Sequence, residues 1–292
     1  MSLLPGPRVS SEPRKAAVLG KPVAHSLSPV LHGAAFAALG LTGWTYERIE
    51  TSAEELPGLV DALGPEWAGL SVTMPGKRAA LDHADEVTPR AAAVGAANTL
   101  VRTAKGWLAD CTDVDGVTGA LRAAGGYEPS PADTAVVLGA GGTAAAAVVG
   151  LAALGVRRVR LVVREPARAG ETLDAAKRAS LDVDVLRWSE TDFADLGTAT
   201  VLVNTVPPDA VVPHVADLAP VAHVLDVIYH PWPTPLAEAV AARGGRLATG
   251  LDMLLHQAFG QAEHFTGRPA PRAAMRDALR AATGNLLPLP ID

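Results

Sequence analysis

A chain of 292 residues is long enough for one large or two medium domains, and it buries roughly three-quarters of its unfolded surface without needing covalent staples. Its 49% hydrophobic and 19% charged residues describe a globular protein. A net charge of −6 argues against nucleic acid or an anionic membrane surface as the main partner, but leaves room for an anionic small molecule at a local positive site. The single cysteine, Cys111, excludes an internal disulfide and any cysteine-rich zinc site.

Met1–Arg14 is polar and proline-rich with no apolar centre, so it reads as a frayed terminus and not a signal peptide. Ala144–Leu154, the longest apolar stretch, is too short to span a bilayer and is broken by Gly150. The expectation is a soluble cytoplasmic protein. Ala16–Gly20 reads as a strand, Lys21–Pro29 as a loop, Val30–Leu39 as a helix and Trp44–Ile49 as a second strand. Ala53–Leu63 reads as a helix with Ser52 at its N-cap. Gly69–Val72 is a third strand that ends in the loop Thr73–Lys77. Ala91–Val94 is helical and runs into Gly95–Val101, Lys105–Trp107 turns a hairpin, and Leu108–Asp115 returns. A connecting helix is expected to start near Asp115–Gly119, where one domain gives way to the next.

The second half opens with a strand, Ala135–Leu138, followed by Gly139, Ala140, Gly141, Gly142, Thr143 and Ala144 and then an alanine-rich helix. Strand, glycine turn and helix start bring free N–H groups close to a phosphate, which is the entry to a dinucleotide-binding unit in its G-x-G-x-x-A form. Arg157–Val163 reads as the next parallel strand, with Arg164 and Arg168 beyond it where such a chain meets the adenosine ribose. Guanidinium groups there favour the 2′-phosphate of NADP over the free hydroxyl of NAD, and Glu165 between them pulls the other way. Further strands are expected at Val183–Trp188, Thr200–Asn204, Val224–Ile228 and Leu247–Thr249, with helices from Gly250 and over Ala273–Ala282.

In open α/β sheets ligands collect at the carboxyl ends of strands. Ser26 and Ser28, Thr73 and Lys77, Asn98 and Asp113 lie just beyond such ends or in the later loops. Together they suit a small polyhydroxylated acid, and a lysine with an aspartate can form a proton-transfer pair. Taken singly, each also reads as an ordinary cap, turn or surface residue. His256 reads as a helix-surface residue, His25 as structural, Trp232 as loop packing and Cys111 as a packed small residue. No ligand set suggests a metal.

The segments H-S-L-S-P, S-V-T-M-P-G-K, G-A-A-N-T-L, T-D-V-D-G, G-A-G-G-T-A, N-T-V-P, D-V-I-Y-H-P-W-P-T-P and G-L-D-M-L-L-H-Q-A occur in this order. Over nearly the whole chain this resembles the shikimate dehydrogenase family. The resemblance implies an α/β protein of two domains. Residues 1–115 with 251–292 would bind substrate, and 116–250 would form a Rossmann-type NADP-binding domain. The implied reaction is reversible, NADP-dependent reduction of 3-dehydroshikimate to shikimate in aromatic amino-acid biosynthesis, by a monomer or homodimer. Lys77 and Asp113 match the family's catalytic pair; Ser26 and Ser28 match the serines on the substrate carboxylate; Thr73, Asn98, Tyr229 and Gln257 match residues that hold the ring or its hydroxyls. The glycine loop, Arg164, Arg168, Thr205, Val206, Gly250 and Met253 match positions along the cofactor.

Ser71 stands where the family pattern has Asn, as does Cys111, and Val163 and Glu165 replace the Asn and Thr of its N-R-T pattern. Ser71 and Cys111 flank the matched catalytic residues without removing them, and Val163 and Glu165 touch cofactor choice more than the reaction. Quinate/shikimate or aminoshikimate dehydrogenase with NAD is the nearest alternative, and a non-catalytic nucleotide-binding regulator on the same fold is the next. Both serines of S-x-S are intact, which favours shikimate.

Overall fold

The computed structural model describes residues 12–130 and 133–292; the reading of the N-terminal stretch through residue 11 lies outside the described residues. The chain divides into two compact units. The first comprises the chain up to Ala91, Ala96–Thr112 and Ala258–Pro288, and the second Ala92–Gly95, Asp113–Gln257 and Leu289–Asp292.

The first unit is built on a six-stranded sheet of β1 (Lys15–Gly20), β2 (Thr45–Glu50), β3 (Trp67–Val72), β4 (Glu86–Val87), β5 (Thr99–Thr103) and β6 (Gly106–Asp110), in the order β2-β1-β3-β5-β6-β4. β5 alone runs antiparallel to its neighbours, so it enters the sheet at the end where β3 and β6 leave it: Ser71 faces Thr99, which faces Asp110. β1 and β3 are buried along nearly their whole length, as a central parallel strand requires. Their core includes Leu19, Leu56, Leu70, Leu100 and Trp107.

Helices begin earlier here than periodicity suggests. Ser28 is not a loop residue but the first residue of the helix Ser28–Ala38, since Pro29 suits a first turn. Lys77 likewise opens a helix, Lys77–His83, that its short apolar stretch concealed. The connecting helix Asp113–Ala123 starts at Asp113, ahead of the expected Asp115–Gly119. Ser52 and Glu55 do form a capping box, Glu55 Oε2 accepting from Ser52 N at 2.8 Å and Ser52 Oγ from Glu55 N at 3.3 Å, but the regular helix they precede is only Leu56–Asp61.

The second unit carries β7 (Thr134–Leu138), β8 (Arg158–Val163), β9 (Asp182–Arg187), β10 (Val201–Asn204), β11 (His223–Asp226) and β12 (Arg246–Thr249) in the order β12-β11-β10-β7-β8-β9, all parallel. This is the doubly wound order in which successive strands reverse direction of travel at β7 and β10. β11 stops two residues short of the expected Ile228, because the Asp226 carboxylate turns back to accept from Ile228 N and Thr234 Oγ1. The helix Gly142–Ala153 is buried on almost all sides, and its alanines let it lie close to the sheet. Helices Gly170–Arg178 and Pro235–Ala242 complete further crossovers.

Asp110, at the end of β6, is almost completely buried. It accepts from Arg90, from His264 Nε2 at 2.7 Å, from Thr88 Oγ1 at 2.7 Å and from Cys111 N at 2.8 Å. Burial opposes its charge, but the bonds from His264, Arg90 and Thr88 outweigh it and hold the carboxyl well below the usual range. Removing one partner of a buried ion pair strands the other. Asp110→Ala is expected to cost about 3 kcal/mol in urea unfolding; a loss within error of zero contradicts the account.

Candidate active site

In the second unit the site forms where β7 hands over to the helix Gly142–Ala153. Gly139 has φ +99°, which a side chain rarely adopts, and a Cβ there would lie 2.5 Å from Thr205 Oγ1 and 2.9 Å from Val206 Cγ1. Thr205 is locked in turn, donating from both N and Oγ1 to Leu138 O at 3.0 and 2.6 Å. Gly141 and Gly142 differ: a Cβ on either would meet nothing within 4 Å. Their free side is open to an incoming group, and no side chain caps the helix that starts there. Uncapped N–H groups beside open space suit a diphosphate.

A cavity of about 540 Å³ occupies this switch point. It is lined by Gly139, Ala140 and Gly141 on one side, Arg164, Glu165 and Arg168 from the turn after β8, and Thr205 and Val206 after β10. Arg164 and Arg168 are exposed, which leaves both guanidinium groups accessible to an anion. Open glycines, uncapped N–H groups and two guanidinium groups fit a 2′-phosphorylated dinucleotide. Trp188, Asp209 and Ala210 also line the cavity. They escaped sequence reading because they lie outside the segments that carry the resemblance.

Gly250 opens the helix Gly250–Thr266, and a Cβ on it would overlap the backbone carbonyl of Val227 and sit 2.7 Å from Tyr229 Cδ1. Gly250 therefore lets this helix start against the segment that carries Tyr229. Burial raises the phenol pKa of Tyr229. The helix start is fixed by Asp252, whose Oδ2 accepts from Thr249 N and Oγ1 at 2.8 and 2.7 Å. Its first turns pack on the helix Asp113–Ala123 through two glycines: a Cβ on Gly116 would come within 3.1 Å of Met253 and Gln257, and one on Gly119 would run into His256. Met253 and Gln257 are thereby set beside the helix that Asp113 begins. His256 is not a surface residue; it is buried, with Nε2 3.1 Å from Pro290 O.

In the first unit, the expected residues converge on one end of the sheet. Ser26 Oγ donates to Ser28 Oγ at 3.2 Å and accepts from Ser28 N at 3.3 Å, and Arg48 holds the loop through two bonds to Ser26 O at 3.1 and 2.7 Å. Thr73 leaves β3 with its N bonded to Leu19 O at 2.8 Å, and Gly20 beside it leaves the Thr73 side chain the space a Cβ would take. Lys77 O accepts from Ala97 N at 2.9 Å, which ties the start of its helix to the residue before Asn98. The Asn98 side chain is largely engaged within the protein: Nδ2 donates to Thr112 Oγ1 at 3.0 Å, and Oδ1 accepts from Thr112 N and Thr99 Oγ1, both at 2.8 Å. Lys77 belongs to the first unit, whereas Asp113 and Gln257 belong to the second.

Beneath these residues lies a polar network that sequence reading missed. Tyr46 OH donates to Ser71 Oγ at 2.6 Å, and Ser71 Oγ to Gln261 Oε1 at 2.8 Å. Gln261 Nε2 donates to Asn98 O and Thr99 Oγ1, both at 3.1 Å. His32 Nε2 lies 3.2 Å from Gln261 Oε1, and its ring stacks on Tyr46 at 4.4 Å. Oε1 only accepts, so Nε2 of His32 carries the proton. Ser71, the departure from the family pattern, thus serves as a link in this network.

The chain matches the family model for the shikimate dehydrogenase substrate binding domain over residues 18–100, and that for the shikimate 5'-dehydrogenase C-terminal domain over 250–280. It is 40% identical over 282 residues to the NADP(+) shikimate dehydrogenase of Methylobacterium radiotolerans, covering 91% of this chain and 96% of the relative. The chain belongs to the shikimate dehydrogenase family. The shikimate dehydrogenase structure from Mycobacterium tuberculosis superimposes with a TM-score of 0.86 at 55% identity, covering 92% of this chain and all of the other. A Thermus thermophilus family member, solved in complex with NADP(H) and shikimate, gives 0.75 at 31% identity, covering 92% and 99%.

His32 supplies a pH test of the family site's foundation. Burial lowers its pKa from 6.5 to about 4, with the Gln261 bond opposing only in part. Between these values the unfolded chain binds a proton that the folded chain refuses, so stability falls as pH drops through the window, by up to about 3 kcal/mol. Urea unfolding from pH 7 to 4.5 should show this loss, and His32→Phe, which can keep the stack on Tyr46, should flatten it. Equal slopes in the two proteins contradict the assignment.

Proposed function

We propose that this chain catalyses the reversible NADP-dependent reduction of 3-dehydroshikimate to shikimate. The observation that carries the reading is the gathering of Ser26, Ser28, Thr73, Lys77 and Asn98 at one end of the first-unit sheet, in a chain whose second unit offers a pocket lined by the glycine loop, Arg164 and Arg168. On this reading residues 1–115 with 251–292 bind substrate and 116–250 bind NADP, in a cytoplasmic monomer or homodimer. Among the described residues no helix is long and apolar enough to cross a membrane, and no group of three or more metal-ligating side chains occurs.

NADPH, when bound, supplies the hydride that reduces the C3 carbonyl carbon. Arg164 and Arg168 would hold its 2′-phosphate, and the open faces of Gly141 and Gly142 its diphosphate. The serine pair donates hydrogen bonds to the substrate carboxylate, with Thr73, Asn98, Tyr229 and Gln257 on the ring and its hydroxyls. Lys77 Nζ gives a proton to the carbonyl oxygen as the alkoxide forms, and takes it back in the oxidative direction. Asp113 matches the second member of the family's catalytic pair. Positioned proton transfer of this kind contributes about 10²- to 10⁴-fold. Lys77→Ala and Asp113→Asn should therefore lose kcat by about that factor with unchanged circular dichroism; near-normal turnover in either rules out its role.

The direct experiment is shikimate oxidation followed at 340 nm with NADP and NAD in parallel, and with quinate as alternative substrate. Turnover confined to shikimate and NADP is expected. Equal turnover with quinate or NAD overturns the stated specificity, and nucleotide binding without turnover on any of these acids overturns the enzymatic reading.

A further inference from the structure

β8 ends at Val163 and β9 at Arg187, and these residues are partners in the parallel register. The turn leaving β8 carries Arg164, Glu165 and Arg168, all lining the cofactor pocket. Arg187 is not part of that lining. Its Nη2 lies 3.5 Å from Glu165 Oε1, and its Nε 3.5 Å from Glu190 Oε1.

The turn holds opposed chemistry. Two guanidinium groups suit a 2′-phosphate, while a carboxylate in this region accepts from a free 2′-hydroxyl and repels a phosphate. Arg164, Glu165 and Arg168 leave the turn with one net positive charge, and Arg187 adds another that faces both Glu165 and Glu190. The Arg187–Glu165 pair is exposed on both sides, 39% and 50%, so it adds little to folding stability. Asp209 lines the pocket from the β10 side and lies outside this pairing.

We propose that Arg187 is a specificity-positioning residue: it neutralises Glu165 and occupies its acceptor oxygen, so that a turn containing a carboxylate still selects a 2′-phosphate. The inference rests on the NADP reading above. It explains how the chain tolerates Glu165 where the family pattern has a neutral Thr. The selecting charge comes from the next strand, and not from the motif itself.

The test is a double-mutant cycle read by calorimetric binding of 2′,5′-ADP and 5′-AMP to the full chain, which share a 5′-phosphate and differ at the 2′ position. Arg187→Ala should weaken 2′,5′-ADP by roughly two- to fivefold, the scale of one exposed ion pair, and leave 5′-AMP unchanged. In a Glu165→Gln background the same substitution should have no effect on either nucleotide. Raising the salt concentration should shrink the wild-type difference. Equal weakening of both nucleotides, or an effect that survives in the Gln background, overturns the proposal. A wild-type protein that binds 5′-AMP as tightly as 2′,5′-ADP overturns the NADP reading itself, whereas a preference for 2′,5′-ADP that Arg187→Ala leaves intact overturns the Arg187 role alone.

Discussion

A buried primary amide has to satisfy its donors and its acceptor inside the protein, and that requirement at Gln261 organises the first unit. The residue is 1% exposed. Its oxygen accepts from Ser71 on β3 and faces His32, while its nitrogen donates to Asn98 O and Thr99 at the start of β5. One side chain thereby fixes a helix, two strands and the helix Ser28–Ala38 at the end of the sheet where Ser28, Thr73 and Asn98 gather. An unmade bond here costs the full desolvation of the stranded group, so the arrangement has few alternatives.

The second unit rests on close approach. Gly139 removes a side chain where Thr205 and Val206 press in, and Gly116 and Gly119 do the same for the first turns of the helix Gly250–Thr266. Small residues let backbones meet where the sheet order reverses, and the space left open at Gly141 and Gly142 is the part a ligand can use. Two kinds of glycine thus stand in one motif: one excludes protein atoms that would clash, and the others admit a foreign group.

The charged groups divide along similar lines. Asp110 is buried, wrapped by Arg90, His264 and Thr88, and its charge ties β6 to the helix Gly250–Thr266. Arg164, Glu165 and Arg168 are exposed around a cavity, and Arg187 is partly exposed beside Glu165. Water screens such groups, so they stabilise the fold little and remain free to act on an anion.

What the sequence by itself determined was local. The strand, glycine and helix succession at Ala135–Ala144, the alternation of strands and helices, and the ordered segments around Ser26, Lys77, Asn98 and Asp113 depend on neighbours in the chain; the expected elements appeared with shifted boundaries, and the structure adds others such as Lys77–His83 and β4. The helices at Ser28 and Asp113 start earlier than periodicity places them, and the one from Lys77 is absent from that reading, because short first turns and short helices carry little apolar periodicity. Only the tertiary structure decided the partners of distant residues. Ser71 meets Gln261 across 190 positions and Asp110 meets His264 across 154, and strand register alone brings Arg187 beside the turn of Glu165. No spacing rule encodes such pairs, because the free energy that selects them is burial and hydrogen-bond satisfaction in the folded interior, which does not exist until the sheet has formed.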